Sequence, residues 1–407
     1  MRVWGACTQT KVCGRKETYK GKMSDEVMFF GEDVLNRVSF LRDDAEFISL
    51  ALKNELSVFI PFTGGEGLLD IESHDLYMTQ LKDSSELAAI IDKILPLIGT
   101  KDGRMDHSGV NLTFMGIDER KADIVGALNY KDKYRGVAYF GIDVRYVEGK
   151  TLVQASDIKS LTASYKNITL MEMITLLNRS ASLYSHAKMY LDWLYKFKFC
   201  PGCGSVIYPI QAGTKLQCGN EDIENTKCNV RDARVNNICF PRTDASVIIA
   251  IVSRDFSKIC LARSNRKIKD DQGNEIKMYS TIAGFMEPSE LIENACSREI
   301  WEETGITCPM DNIMIIKSQP WPYPVCLMVG CVGIVDFNYR NEIIDLNNDK
   351  ELQDAQWFDT KELAAAIENN KESGFFVNFT DDLKIPNKST VAYQLIDHVC
   401  KQYKANL

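Results

Sequence analysis

The feature that most constrains the fold of this chain is a group of four cysteines near its middle: Cys200, Cys203, Cys218 and Cys228. A Cys-x-x-Cys turn, here Cys200 to Cys203, presents two thiolates to one ion. A second pair, Cys218 and Cys228, joined to the first by a hairpin would complete a tetrahedral zinc site. The first pair is the stronger signal, because the gap in the second pair is wide. A reduced pair or a redox Cys-x-x-Cys is the alternative, but no thioredoxin-like pattern surrounds it. We expect one structural Zn²⁺ in a ribbon at residues 197–242, with all four ligands from protein.

The ribbon divides a chain whose 407 residues predict two to three folded units. Residues 1–22 carry six basic side chains against a single Glu17, and they read as a flexible basic extension, with a transit peptide as the alternative. We expect an N-terminal domain at 23–196 and a second domain at 243–404, with 405–407 as a separate C-terminal signal.

Composition excludes several classes of protein. The chain is 45% hydrophobic and 26% charged, which is typical of a globular protein and excludes collagen-like and largely disordered classes. No apolar run reaches the length of a bilayer-spanning helix, and the N-terminus lacks the apolar core of a secretory signal, so we expect no membrane association. A net charge of −8 argues against a general polyanion-binding surface.

Hydrophobic periodicity predicts an α/β fold on both sides of the ribbon. Before it, strands are predicted at 57–62, 110–117 and 137–144, and helices at 86–98 and 170–197. That region offers no His cluster, phosphate loop or paired-carboxylate helix. After the ribbon we predict strands at 247–252, 259–262, 278–282, 313–316 and 326–335, then helices at 360–368 and 390–403. Strands with helices on both sides indicate an α/β/α sandwich with a mixed sheet.

A helix rich in carboxylates is predicted between these strands. Glu287-Pro288-Ser289 is a suitable start, and Gly305 a suitable stop. Glu299 and Glu303 lie about 40° apart around the helix axis, with Glu302 about 60° to the other side, so three carboxylates share one side. Clustered like charges beside apolar surface need a cation, and all-oxygen ligation favours Mg²⁺ or Mn²⁺. The alternative is a solvated acidic face with Arg298 as local partner.

The segment resembles a known family motif, the Nudix box G-x5-E-x7-R-E-U-x-E-E-x-G-U, where U is aliphatic. The match covers every specified position: Gly284, Glu290, Arg298, Glu299, Ile300, Glu302, Glu303, Gly305 and Ile306. The resemblance implies a hydrolase that cleaves a nucleoside diphosphate linked to another moiety. It also implies catalytic roles for Glu299, Glu302 and Glu303.

The same resemblance assigns ligands and structural partners. It implies that Glu299 and Glu303 hold the catalytic metal with Glu302 assisting, and that the backbone carbonyl of Ala283 is a further ligand. Glu290 and Arg298 are implied to pair and hold the loop–helix–loop.

Downstream lies Ser318-Gln319-Pro320-Trp321-Pro322-Tyr323-Pro324, which we call the Pro-aromatic segment. Alternating Pro and aromatic residues give a stiff chain suited to stacking a base or a nicotinamide ring, with a Pro-rich structural turn as the alternative. The segment resembles S-Q-P-W-P-F-P-x-S, which marks the NADH pyrophosphatase branch of the Nudix hydrolases. Tyr323 replaces Phe and keeps the ring, whereas Cys326 replaces Ser and loses a hydroxyl.

Further resemblance to this branch extends along most of the chain. Residues 239–244 resemble Y-P-R-x-D-P, residues 350–358 resemble the strand E-U-x-x-A-x-W-F, and residues 390–392 resemble the turn S-I-A. The resemblance implies that Glu351 is an additional metal ligand. The implied substrate-binding positions are Phe240, Ala283, Gly284, Phe285, Gln319, Pro320, Trp321, Pro322, Tyr323, Pro324 and Ala392. It also implies a homodimer with a catalytically silent N-terminal domain.

The implied reaction is hydrolysis of NADH to reduced nicotinamide mononucleotide and AMP, with NAD⁺ as a poorer substrate and removal of an NAD cap from RNA also allowed. One alternative is hydrolysis of ADP-ribose or nucleoside triphosphates, which the Pro-aromatic segment disfavours. The other is a nucleic-acid-binding zinc-ribbon protein with an inactive Nudix domain, which the intact carboxylates and the acidic charge disfavour.

The last residues, Lys404-Ala405-Asn406-Leu407, resemble the Ser-Lys-Leu class of peroxisomal signals. Ala-Asn-Leu therefore predicts recognition by the peroxisomal import receptor. The alternative is a frayed helix end on a cytoplasmic enzyme.

Overall fold

The structure is a computed structural model that describes residues 27–145, 147–149, 152–154, 165–220, 228–233, 240–269, 275–369, 376–380 and 382–406. The expected basic extension at 1–22 lies outside these residues, as does Leu407 of the C-terminal tripeptide. Among the described helices, none combines the length and the apolar character that crossing a bilayer requires.

An eight-stranded sheet forms the N-terminal domain. Its strands are β1 (Val58–Thr63), β2 (Glu66–Asp70), β3 (Asp75–Leu76), β4 (Thr79–Gln80), β5 (Val110–Asp118), β6 (Leu128–Tyr130), β7 (Tyr134–Val144) and β8 (Tyr165–Asn167). The main order is β3-β2-β1-β7-β5, and β1 runs parallel to β7 while the other pairs are antiparallel.

Helices cover both faces of this sheet, because its central strands alternate apolar side chains to both sides. The helices are α1 (Ala45–Lys53), α2 (Ser85–Ile94), α3 (Met105–Ser108), α4 (Leu170–Met173) and α5 (Asn178–Lys196). Phe59 of β1 packs into the core beneath α1 and α2, and its neighbour Ile60 packs into the core beneath α5. The domain is thus a three-layer α/β/α unit.

A two-stranded hairpin follows, formed by β9 (Ile207–Ile210) and β10 (Lys215–Cys218). Its tip rests on the N-terminal sheet, where the Phe114 amide donates to the Ala212 carbonyl at 2.9 Å. A side chain at Gly213 would lie 1.8 Å from the Leu112 carbonyl oxygen, so only glycine permits this approach. The four cysteines lie around this hairpin, as the sequence predicted.

The C-terminal domain is a second three-layer unit, which confirms the predicted α/β/α sandwich with a mixed sheet. Its large sheet contains β11 (Asp244–Ser253), β12 (Lys258–Ser264), β15 (Ile282–Phe285), β16 (Ile313–Trp321), β17 (Cys326–Val335) and β18 (Leu352–Asp359). A smaller sheet contains β13 (Ile268–Lys269), β14 (Glu275–Met278), β19 (Phe376–Asn378) and β20 (Leu383–Pro386). β11 is central and runs parallel to β17 and antiparallel to β12 and β15.

In the described part of this domain, one helix covers one face of the sheet and two cover the other. They are α6 (Ile292–Thr304), α7 (Thr360–Asn369) and α8 (Val391–Ala405). Val247 and Ile249 of β11 face α6, whereas Ile248 and Ala250 face α7 and α8. Successive side chains of a strand point to opposite faces of the sheet, so the carboxylate helix α6 lies on the face to which Val247 and Ile249 point.

The structure corrects two sequence predictions of secondary structure. The helix predicted at 170–197 is two helices, α4 and α5, separated by the turn after Met173. The strand predicted at 278–282 is wrong, because 279–281 connects β14 of the small sheet to β15 of the large sheet.

Candidate active site

The loop before α6 presents the carboxylate helix to the sheet. The predicted helix start at Glu287 is wrong, since α6 begins at Ile292, and Ser289 has a left-handed φ of 71° that an α-helix cannot include. The Glu290 carboxylate instead accepts from the Glu287 amide at 2.8 Å and closes the loop. The predicted end is confirmed: Gly305 has φ 70° and its amide donates to the Trp301 carbonyl at 2.9 Å.

Two of the three clustered carboxylates are buried. Glu299 is 9% exposed and Glu303 is 3% exposed, whereas Glu302 is half-buried. Burial raises the pKa of Glu299, and it raises the pKa of Glu303 to about 8 with help from the nearby charges of Glu299 and Glu351. Oε2 of Glu303 is buried and has no hydrogen-bond partner among the described residues. The protein itself therefore disfavours the charged form of Glu303, and a cation bound beside this carboxylate would favour it.

Arg298 connects the carboxylates to the loop. Its Nε donates to Glu290 at 2.7 Å, and Nη1 donates to Glu299 and Glu302 at 2.7 and 2.8 Å. Nη2 reaches the Phe285 carbonyl at 2.9 Å. The bond from Arg298 holds the pKa of Glu290 below its usual range. The pairing of Glu290 with Arg298 is thus present, and the same guanidinium also orients two carboxylates.

Gly284 lies directly beneath Glu299. A Cβ at this position would lie 2.0 Å from the Glu299 carboxyl carbon, so no other residue fits without displacing that side chain. Gly284 and Ala283 belong to β15, where they pair with Val247 and Ile248 of β11. The sheet therefore fixes the strand against which the carboxylate packs.

Glu351 approaches from the segment before β18. It is exposed, and its charge raises the pKa values of both Glu299 and Glu303, so it faces the same space. Asp349 also raises the pKa of Glu303 and was missed by the sequence analysis, although it lies only two residues from Glu351. Its side chain accepts from the Glu351 amide at 3.0 Å.

The Pro-aromatic segment packs against the N-terminal domain. Trp321 and Tyr323 are half-buried there, and Trp321 meets the ring of Phe30 edge to face at 5.8 Å. Gln319 is 1% exposed. Its amide nitrogen donates to the carbonyls of Phe29 and Ser389, and its oxygen accepts from the Val391 amide at 2.8 Å. The structure thus gives Gln319 three backbone partners in two separate parts of the chain, Phe29 in one and Ser389 and Val391 in the other.

The remaining expected substrate positions vary in exposure. Phe285 is exposed beside Gly284, and Phe240 is exposed with Lys215 over its ring. Ala392 is buried in the first turn of α8. Pro320 is half-buried, Pro322 is buried and Pro324 is exposed. Pro320 also lines a cavity of about 450 Å³ between the two domains, whose lining does not include the carboxylates.

The four ribbon cysteines form a compact group. Their sulfur atoms all lie within 4.8 Å of one another, with Cys200–Cys228 and Cys203–Cys218 each at 3.5 Å. A tetrahedral zinc with Zn–S bonds of about 2.3 Å needs sulfur atoms about 3.8 Å apart. Hydrogen bonding by Ser205 lowers the pKa of Cys203 to about 6. Within the described part of the chain, no other group of three or more His, Cys, Asp or Glu ligand atoms is this compact.

Comparison with known proteins agrees with the site. Residues 242–378 match the family model described as NUDIX domain. The chain is 51% identical over 387 residues to "NAD-capped RNA hydrolase NPY1" of Saccharomyces cerevisiae, covering 94% of this chain and 97% of that protein. It is 25% identical to "NAD-capped RNA hydrolase NUDT12" of Homo sapiens, covering 91% of this chain and 72% of that protein. The chain therefore belongs to the Nudix hydrolase family, in its NADH pyrophosphatase branch.

Proposed function

We propose that this protein hydrolyses the pyrophosphate bond of NADH, giving reduced nicotinamide mononucleotide and AMP. NAD⁺ and the NAD cap of RNA are substrates of the same reaction, in keeping with the names of relatives that align along most of the chain. The observation that carries the proposal is the pair of buried carboxylates on α6, one of which has an oxygen without a hydrogen-bond partner among the described residues.

This carboxylate group fits a divalent cation. Buried like charges are costly unless a cation balances them, and oxygen ligands favour Mg²⁺ or Mn²⁺. We assign Glu299, Glu303, Glu351 and the Ala283 carbonyl as its ligands. The half-buried Glu302 assists them. Such an ion, when bound, neutralises pyrophosphate charge and makes a water more acidic.

The chain's own residues supply the rest of the chemistry. One of the carboxylates of Glu299, Glu302 and Glu303 accepts a proton from the attacking water. As the new bond from water oxygen to phosphorus forms, the bond from that phosphorus to the bridging oxygen breaks, so one water is consumed for each substrate. Arg298 and Gly284 hold Glu299 in place during this step.

We assign substrate contact to the residues around the Nudix box and the Pro-aromatic segment. Phe285 offers an exposed ring beside the carboxylates, and Phe240 offers a second ring near the start of β11. Trp321 and Tyr323 are half-buried, and we assign their rings to stacking against the nicotinamide or the adenine. The other assigned positions are Gly284, Gln319, Pro320, Pro322, Pro324 and Ala392.

We further propose that the cysteine group binds one structural Zn²⁺ and that the protein is a homodimer. The sulfur spacing supports the zinc assignment, because it is close to that of a tetrahedral site. Four protein ligands leave no open position, so this metal stabilises the ribbon and takes no part in the reaction. Light scattering of the purified protein tests the dimer, which would give twice the 46.1 kDa mass of the chain.

One assay decides the substrate. NADH, NAD⁺, ADP-ribose and NAD-capped RNA are incubated separately with the protein and Mg²⁺ or Mn²⁺, and the products are separated by chromatography. We expect reduced nicotinamide mononucleotide and AMP from NADH, with the highest kcat/KM among the small molecules. A kcat/KM for ADP-ribose above that for NADH would overturn the substrate assignment. The assignment to the Nudix hydrolase family would still hold.

A further inference from the structure

A hydroxyl pair joins the Pro-aromatic segment to the N-terminal domain. The Tyr323 hydroxyl lies 3.0 Å from the Tyr184 hydroxyl of α5, and Tyr184 in turn donates to a Glu66 carboxylate oxygen at 3.0 Å. A hydroxyl has one proton to donate, so Tyr323 must donate to Tyr184. The bonds therefore run in one direction, from the segment through α5 to the carboxylate on β2.

Tyr184, which receives the hydrogen bond from Tyr323, is tightly packed. Tyr184 is fully buried, stacks on Phe62 at 5.6 Å, and lies so close to Gly67 that an added Cβ there would come within 2.9 Å of its ring. Lys188, one turn along α5, donates to the other oxygen of Glu66 at 3.2 Å. Its ammonium also lies 5.4 Å from the centre of the Tyr323 ring.

A second anchor holds the other end of the Pro-aromatic segment. Gln319 bonds to the Phe29 carbonyl of the N-terminal domain at 3.1 Å and also to the backbone at Ser389 and Val391. Trp321 lies between the two anchors, with Phe30 against its ring. The segment is therefore attached at both ends to a domain in which the sequence shows no catalytic motif.

We propose that the N-terminal domain positions the Pro-aromatic segment for substrate binding, with Tyr184 as a positioning residue that acts through the Tyr323 hydroxyl. This inference rests on the proposed function, because it requires the segment to contact the dinucleotide. The pair distinguishes this chain from the Phe-containing motif that the segment resembles, since a Phe at position 323 has no hydroxyl to donate. Burial raises the pKa of Tyr323 to about 12, so its hydroxyl keeps its proton at neutral pH.

The test uses the full-length variants Tyr184→Phe and Tyr323→Phe, and the double variant. Steady-state NADH hydrolysis should show KM raised about three- to tenfold in each single variant, as expected for the loss of one hydrogen bond. kcat should stay within about twofold, because the carboxylates are untouched. The double variant should be no worse than either single variant, since both remove the same bond.

Tyr139→Phe is the matched control. Tyr139 is buried on β7 of the N-terminal sheet and its hydroxyl accepts from Lys121 at 2.9 Å, but it has no bond to the Pro-aromatic segment. We expect its KM and kcat to equal those of the wild type. An equal rise in KM in this control, an unchanged KM in the single variants, or effects that multiply in the double variant would each overturn the proposal.

A second measurement does not depend on activity. Amide hydrogen exchange of a peptide covering residues 318–324 should be faster in Tyr184→Phe than in wild type and unchanged in Tyr139→Phe. Equal exchange in all three proteins would refute the positioning role even if KM changed. If wild-type protein failed to hydrolyse NADH while exchange responded as expected, the proposed function would fail and the coupling between the domains would stand.

Discussion

At the scale of single residues, Glu303 is the side chain on which we expect catalysis to depend most. It is buried, surrounded by other carboxylates, and has an oxygen without a partner among the described residues. Glu303→Gln keeps the volume and removes the charge, so the fold should survive while the metal loses a ligand. We predict a fall in kcat for NADH of about a hundredfold or more at saturating Mg²⁺.

Glu293→Gln provides the control, since Glu293 lies on the same helix but outside the carboxylate group. It should keep wild-type kcat and KM. Circular dichroism and thermal melting should show both variants folded. If Glu303→Gln kept more than about a tenth of the wild-type rate, the assignment of Glu303 as a metal ligand would be wrong.

The residues around α6 could be predicted from the sequence because their spacing is local. Glu299 and Glu303 share a helix face by period alone, and the structure buries both, with Glu299 over Gly284 of β15. The partnership of Tyr184 with Tyr323 could not be predicted in this way. The two residues are 139 positions apart, and neither lies in a pattern that specifies a partner.

At the scale of elements, we expect the ribbon to depend on its cysteines. The short hairpin of β9 and β10 is too small to be stable alone, so metal ligation should supply much of its stability. We predict one tightly bound zinc per chain by elemental analysis. Cys203→Ser should lose that zinc and aggregate, whereas Cys400→Ser, in the core of the C-terminal domain, should retain it. Well-folded wild-type protein without zinc would refute the assignment.

Asp118, at the end of β5, connects the N-terminal sheet to α5. Burial alone would raise its pKa, but hydrogen bonds from Arg120 and Arg179 outweigh this and hold the pKa below the usual 3.8. A lowered carboxyl pKa stabilises the fold above the unfolded pKa, and this stabilisation is lost as pH falls through the folded pKa. Asp118→Asn should therefore destabilise the domain at pH 7.

We expect a loss of about 1–3 kcal/mol in the free energy of unfolding, at the lower end because both arginines are partly exposed. Thermal melts at pH 7 and pH 3 measure it. The difference from wild type should shrink at pH 3, and the exposed Asp123→Asn should melt like wild type at both values. A constant difference across this range would contradict the titration argument.

Most elements could be predicted because strands and helices have distinct hydrophobic periods. The strand predicted at 326–335 coincides with β17, and the helix predicted at 390–403 differs from α8 by at most two residues at each end. The errors have physical causes. Apolar residues continue through the turn between α4 and α5, so periodicity alone did not mark the break. The loop before α6 is set by Arg298 and Glu290, a contact across eight residues that helix-start signals do not report.

At the scale of the whole molecule, we propose a peroxisomal location. Ala405 ends α8 and Asn406 follows it, and both are exposed, as a receptor-read tripeptide requires. Deleting residues 405–407 should leave kcat and KM unchanged and move an N-terminal fluorescent fusion from puncta to the cytosol. A full-length fusion that is diffuse in cells with working peroxisomes would contradict the location without affecting the enzymatic proposal.

The bond between Gln319 and Phe29 also has a consequence for how the chain is made. Its partners are 290 residues apart. At about 5–20 residues per second, a ribosome needs about 15–60 s to synthesise the intervening chain. During that time Phe29 and Phe30 have left the ribosome, while Gln319 and Trp321, against which they pack, do not yet exist. The N-terminal helices end at Lys196, so the finished domain keeps the surface that Trp321 covers exposed while the next 125 residues are made, about 6–25 s at the same rate.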